Sequence, residues 1–320
     1  MRIAITGGTG FVGRHLAARL DPAQTVVISR RTGVEIDDPD ALAAAFAGCD
    51  VVVHAAGINR QIGDQTFERV HVRGTRAVVE AARRAGVARI IMVSFLRARP
   101  DCGSPYHETK WAAEEIIRES GIAHTILKAS MIYGPGDHMV DHVTRAVRSW
   151  PVFGTVGLGG RMVRPIPVDD FVEVILAAAE GRIDAPTVAV MGAEELPLEE
   201  AVRRVAAVAG KKPLFVPLPV WAIRVLAQVT EWTMKVPLVA KAQARMLGEG
   251  VSEPLPWAPE PPEGVRPRHP FSEDSIRAAL PEEGAFGWHD LRVAGCFARV
   301  FRKARNGGRQ SRTFGALGAS

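Results

Sequence analysis

Tyr106 and Lys110 stand four residues apart in the stretch SPYHETKWAAEE, residues 104–115. On a helix that spacing puts both side chains on one face. A phenol beside an ammonium is a proton-transfer pair. A free phenol, with a pKa of about 10, is a poor base near neutrality, and an adjacent positive charge favours phenolate. Ser104 suits the helix N-cap and Pro105 the first helical turn. The same residues also fit a plain helix, with Lys110 paired to Glu114 on an exposed face and Tyr106 packed beneath a loop.

A second group sits at the N-terminus. TGGTGFVGRHL places Gly7, Gly10 and Gly13 directly after an apolar run and at the start of a helical pattern, with Thr9, Phe11 and Val12 completing the turn. Such a strand–turn–helix suits a dinucleotide. One glycine makes the tight turn, one admits the pyrophosphate to the backbone, and one lets helix and strand close up, while N–H groups at the helix start face the phosphates. The second strand ends at Ser29 and is followed by Arg30 and Arg31, where an NAD site usually carries an acid. Arginine accepts a 2′-phosphate, so NADP(H) is favoured over NAD(H). Asp37, in EIDD, is placed to reach the adenine amino group. Ala55, Ala56 and Gly57, in HAAG, are small enough for cofactor passage along a sheet edge.

The elements that must position these groups alternate. Strand-like runs at 2–6, 25–29, 50–57, 88–94 and 124–130 are separated by helical patterns, including 39–48 and a long one over 67–86 that ends at Gly86. This order predicts an α/β fold with a parallel sheet covered on both faces. Beyond it, 163–180 reads as strand then helix, 187–192 as a strand and 196–210 as an amphipathic helix. Residues 220–234 read as a strongly apolar helix that packs on another element or lines a hydrophobic pocket. Residues 251–270, with seven prolines, read as irregular and extended.

Composition narrows the function classes. The chain of 320 residues is 47% hydrophobic and 23% charged, with no uninterrupted apolar run long enough to span a bilayer. Cys49, Cys102 and Cys296 are too scattered for a disulfide framework or a metal site, which fits a reducing, cytoplasmic setting. Of the net charge of +5, residues 291–320 contribute +7 with no acid, leaving the body near neutral and without a nucleic-acid-binding face. Segment 291–305 is basic and amphipathic, so it suits either packing on the body or peripheral contact with an anionic membrane. The final residues read as a disordered tail. Oligomeric state is not legible.

Five stretches together resemble the extended or atypical short-chain dehydrogenases/reductases, the NAD-dependent epimerase/dehydratase group: TGGTGFVGRHL, DVVVHAAG, VHVRGTRAVVEAA, YHETK and LKASMIYGPGD. VPLVAKAQARMLGEGV, residues 236–251, is similar to the branch containing the NADPH-binding accessory subunit of respiratory complex I. The resemblance implies a doubly wound Rossmann domain over 1–150, a smaller substrate region over 151–290 interleaved with it, and the basic segment and tail over 291–320. It also implies roles. Tyr106 is the proton donor or acceptor beside the nicotinamide, Lys110 holds the ribose hydroxyls, and Ser94 is the candidate third member. The link from Ser94 to Tyr106 is short for the group, and His71 replaces its usual asparagine, either as a proton relay or as a packed core residue. The implied function is an NADP(H)-binding oxidoreductase or epimerase-like protein acting on an alcohol or carbonyl of a small molecule, and the apolar 220–234 helix suits a hydrophobic one. The alternative is a catalytically weakened NADP(H)-binding accessory or redox-sensing module.

Overall fold

The computed structural model describes residues 1–156, 161–233, 256–281 and 286. The expectations on 236–251, Cys296, segment 291–305 and the tail lie outside the described residues.

Six parallel strands form the main sheet: β1 (Ile3–Thr6), β2 (Thr25–Ile28), β3 (Val51–His54), β4 (Arg89–Phe95), β5 (Ala123–Ala129) and β10 (Thr187–Val190). Their spatial order is β2-β1-β3-β4-β5-β10. The side-chain period of two divides each strand between two cores. Ile3, Ile5, Val51, Val53, Ile91, Leu127 and Val188 face α1 (Phe11–Ala18) and α6 (Val168–Ala179). Ala4, Val52, Ile90, Met92 and Ile126 face α2 (Pro39–Phe46), α3 (Gly74–Ala85) and α4 (Pro105–Arg118). Burial on both faces explains why these runs are almost wholly apolar rather than alternating.

Local signals set the helix ends. Asp38 Oδ1 accepts the N–H groups of Asp40 and Ala41 ahead of Pro39, and Gly86, at φ 69°, ends α3 in the left-handed region. The pattern over 67–86 is not one uniform helix. Glu68–Arg73 is π-helical and continues into α3. EIDD forms no strand.

Past residue 130 the chain builds smaller pieces. Short strands β6 (Ile132–Tyr133) and β9 (Ile166–Pro167) pair in parallel, and β8 (Met162–Val163) pairs antiparallel with β11 (Leu196–Pro197). Helices α5 (Met139–Ser149) and α7 (Leu198–Val208) pack together, and β7 (Val152–Val156) pairs in parallel with β12 (Leu214–Leu218). A third core joins this region to the main sheet through Phe95, Tyr106, Tyr133, Val163 and Phe271. Chain from both sides of residue 150 builds the large sheet, since α6 and β10 return to it. The chain at Ala258 and Pro259 lies at its outer edge, where the Ala189 N–H donates to the Pro259 carbonyl at 2.7 Å. The last helix among the described residues is α9 (Glu273–Ala279), capped by Ser272.

The helix predicted at 220–234 exists as α8 (Val220–Thr233), and it carries several large apolar side chains on its outer side. Trp221, Val225, Val229 and Trp232 are exposed, while Ala227 and Thr230 are buried. It packs on the two-stranded β7–β12 sheet, where its small residues allow close approach. Among the described residues, no helix is long and apolar enough to cross a membrane.

Candidate dinucleotide and proton-transfer site

The sheet order reverses direction at β1: the chain goes to β2 on one side and to β3 on the other. Ligands of open α/β sheets bind outside the strand ends at such a point. There the chain is drawn in tightly. A Cβ on Gly7, whose φ is 69°, would lie 2.7 Å from the Ala56 Cα, and one on Gly13 would lie 2.3 Å from the Gly7 carbonyl oxygen. Both glycines are thus required by contact between backbones. The predicted Ala55 and Ala56 form the other wall. Gly10 is the N-cap of α1, with no side-chain cap bond and no acid in the first turn. Its first N–H groups are therefore available to an anion. Replacing Gly13 by alanine is expected to cost about 1–3 kcal/mol of stability. It should also remove the thermal shift on adding dinucleotide; a Gly13→Ala protein with wild-type melting and shift would show that the cradle is looser than the contacts indicate.

Arg30 and Arg31 form a short turn after β2, closed by a reciprocal Ser29–Thr32 capping box. Both are exposed, and no ion pair holds either one among the described residues. Asp37 already has a partner in the chain. It is bound by Arg69, with Nε to Oδ2 at 2.9 Å and Nη2 to Oδ1 at 3.0 Å, and the guanidinium holds its carboxyl below the usual range. Arg69 also pairs with Asp64 and Glu35. An adenine contact by Asp37 has to be made alongside this clamp.

Tyr106 and Lys110 are both buried, so the pair does not lie on an exposed helix face. A Cβ built on Gly57 would lie 3.0 Å from Lys110 Nζ and 3.8 Å from His71 Nε2, which puts Gly57, Lys110 and His71 in one corner at the end of β3. Lys110 Nζ donates to the Val93 carbonyl of β4 at 3.3 Å. Burial pushes its pKa down to about 8, against the pull of Glu114, with Lys128 lowering it further. Tyr106 sits in a nest of rings from Phe67, His71, Phe95 and His107, with centroids all 5.7 Å from its own. Burial there raises the phenol pKa well above its usual value. The lowering expected from the ammonium is thus outweighed in the cofactor-free chain, because the apolar nest disfavours phenolate.

Ser104 is the N-cap of α4 but makes no side-chain cap bond; its Oγ is 2.6 Å from His107 Nδ1. Ser94 is buried and engaged by a carboxylate. Its hydroxyl donates to Glu114 Oε1 at 2.5 Å. Glu114 does not pair with Lys110 but with Lys128 Nζ at 2.6 Å and Arg118 Nη2 at 2.8 Å. Lys128 also donates to the Ala98 carbonyl and lies over the rings of Trp111 and Trp257. The sequence reading missed this buried ion pair. Its one signal was a lysine within the apolar run HTILKAS.

His71 falls within the π-helical turn, a form often found at functional sites. The Ile58 N–H donates to its Nε2 at 3.2 Å, so Nδ1 carries the hydrogen and donates to Thr109 Oγ1 at 3.0 Å. Burial, with help from Lys110, pushes its pKa down to about 2. His54 is likewise neutral, held between Thr6 and Thr75, with a pKa pushed down to about 3 by burial. The geometry fits His71 as a fixed neutral strut for the loop after β3.

The family model for the NAD dependent epimerase/dehydratase family matches residues 3–192. The chain belongs to this family. Membership supports a nicotinamide cofactor, and the glycine cradle is the candidate place for it. Among curated relatives, a ceramide reductase of Caulobacter vibrioides is 32% identical over 68% of this chain and 73% of its own length. A 4-hydroxy-2-methyl-3-oxo-4-farnesyl-3,4-dihydroquinoline-1-oxide ketoreductase of Stigmatella aurantiaca is 28% identical over 43% of this chain and 52% of its own. The complex I branch is also represented. Subunit 9 of the NADH dehydrogenase alpha subcomplex of Mus musculus is 27% identical over 55% of this chain and 52% of that one. Among solved structures, a UDP-glucuronic acid 4-epimerase of Bacillus cereus shares the fold at TM-score 0.62 and 18% identity, covering 87% of this chain and 98% of its own. The family's Rossmann fold is therefore the fold of this protein.

Proposed function

We propose that the protein is an NADPH-dependent ketoreductase that converts a carbonyl on a lipid-like molecule to an alcohol. The observation that carries this reading is Tyr106, a phenol held in its protonated form by an aromatic nest, on the same helix face as a buried lysine. A protonated phenol is the acid that ketone reduction needs. The two relatives named as reductases of a ceramide and of a farnesylated quinoline support the reductive direction and an apolar substrate. Exposed Arg30 and Arg31, with no acid at the end of β2, support NADPH.

In this reading Gly7, Thr9, Gly10, Phe11, Val12 and Gly13 receive the pyrophosphate, and Arg30 and Arg31 receive the 2′-phosphate. Ala55, Ala56 and Gly57 line the passage to the nicotinamide end. Bound NADPH supplies a hydride. Lys110 holds the ribose hydroxyls and, with added positive charge near Tyr106, makes its proton easier to transfer. Tyr106 gives that proton to the developing alkoxide. The nest of Phe67 and Phe95 keeps water from the transfer.

The second reading, an NADP(H)-binding accessory module, rests on Ser94. Its hydroxyl is committed to Glu114, which competes with any bond to a substrate oxygen. One assay separates the two. Purified full-length protein is mixed with NADPH or NADH and a long-chain keto lipid in detergent, and cofactor oxidation is followed. Ketone-dependent oxidation of NADPH in preference to NADH is expected. Arg30→Ala with Arg31→Ala should reduce that preference by at least about tenfold, as loss of charge-assisted bonds implies. NADPH binding without oxidation across a panel of lipid ketones leaves the accessory reading standing.

A further inference from the structure

Helix α8 is built inside out. Its spacing puts Trp221, Val225, Val229 and Trp232 on one stripe, and all four face solvent, the tryptophans at 69% and 70% exposure. Among its described side chains, the buried ones are the small Ala227 and Thr230. Solvent-facing helices of soluble domains show the reverse pattern. The β7–β12 sheet beneath continues the theme, since Trp150, Val152 and Leu214 at its start are also exposed. An apolar surface of this extent marks an interaction site.

We infer that this stripe is a membrane-docking surface, seated at the headgroup–acyl boundary of an anionic lipid bilayer. Two features select lipid over another protein. The stripe has a tryptophan at each end, and tryptophan places an apolar body and one N–H donor at a bilayer interface. The charge has the matching sign: exposed Lys211 and Lys212 precede Leu214 at the start of β12, and the sequence of residues 291–320 adds seven Lys and Arg with no acid. A helix of 14 residues is too short to cross a bilayer and, held against the protein by one face, lies in the interface. The inference rests on the lipid-ketone reading for its purpose, delivery of substrate from the bilayer, but its binding step is independent of catalysis.

The test is flotation of full-length protein with phosphatidylcholine vesicles and with phosphatidylcholine–phosphatidylglycerol vesicles, at low and high salt. Binding to the anionic vesicles, weakened by salt, is expected. A Trp221→Ser, Trp232→Ser protein should partition at least about tenfold less, in keeping with the apolar area removed. It should keep wild-type melting and NADPH binding, neither of which uses these residues. A Val225→Ser, Val229→Ser protein gives a second reading should the first be unstable. Equal flotation of wild type and both variants overturns the proposal. So does absence of vesicle binding, whether the face is instead covered by a second copy, seen as a dimer that the variants dissociate, or by one of the chain's own segments, seen as hydrogen-exchange protection of α8 without lipid. Loss of vesicle binding with ketone reduction intact in detergent would sink the docking surface alone; reduction lost with vesicle binding retained would sink only the enzyme reading.

Discussion

Replacing Tyr106 by phenylalanine is expected to lower turnover of a lipid ketone by about 10²–10⁴-fold, the usual worth of a positioned general acid, and to leave NADPH affinity unchanged. The substitution removes one hydroxyl and keeps the ring in its nest of Phe67, His71, Phe95 and His107. The protein should therefore fold and melt as before. The pH profile adds a second check. Lys110 titrates near 8 in the cofactor-free chain, because burial disfavours its charge. Its cation is present below that value and lost above it, so the rate should hold below about pH 8 and decline on the alkaline side. Lys110→Met should abolish that limb as well as most of the rate. Turnover of Tyr106→Phe at the wild-type level would remove Tyr106 from the chemistry and with it the enzyme reading.

The largest stability effect is expected at Glu114. This carboxylate and Lys128 are both fully buried. Glu114→Ala leaves the ammonium without its counter-charge and opens the Ser94 and Arg118 bonds at once. Loss of one partner of a buried pair typically costs about 3–5 kcal/mol, enough to show as a clear drop in denaturation midpoint. The deficit depends on pH in a set direction. Burial already depresses the Lys128 pKa in the folded chain, and more so once the carboxylate is gone. The folded state then binds fewer protons than the unfolded state, whose lysine titrates at about 10.4. Stability of the variant therefore rises with pH until that value is passed, and the gap to wild type narrows. Glu114→Leu combined with Lys128→Met should recover most of the loss, because the apolar pair fills the volume without a charge to desolvate. A single variant as stable as wild type across the pH range would mean that the pair is solvated.

The network also explains which parts of the site could be read from the sequence. The glycine cradle was legible because it is local: strand, turn and helix lie within about a dozen residues, and each glycine answers a contact made inside that stretch or with HAAG. The Tyr106–Lys110 pair was legible for the same reason, one helix turn carrying both. The buried strands announced themselves by apolar runs. What stayed hidden depends on partners far along the chain. Ser94 meets a carboxylate 20 residues away, and Asp37 meets an arginine 32 residues away. Nothing in either segment specifies such a partner. Helix α8 was legible as a helix that packs on another element, but not the facing of its tryptophans, because hydrophobic composition measures how much apolar surface a helix has and not which way it is turned.

The proline-rich segment over β10 has a consequence for how the molecule behaves in a crowd. An open parallel sheet ends in a strand with unpaired backbone groups, and such a rim can template the strand of a neighbouring chain. Here Ala189 donates to Pro259, and the covering segment continues through Pro261 and Pro262. Those three residues have no N–H to offer outward. The segment therefore takes a bond from the sheet and passes on few donors of its own, so growth of the sheet by a further strand stops at this rim. Shortening the chain before residue 256 would uncover β10, and the resulting protein should aggregate through that edge even where its nucleotide cradle is intact.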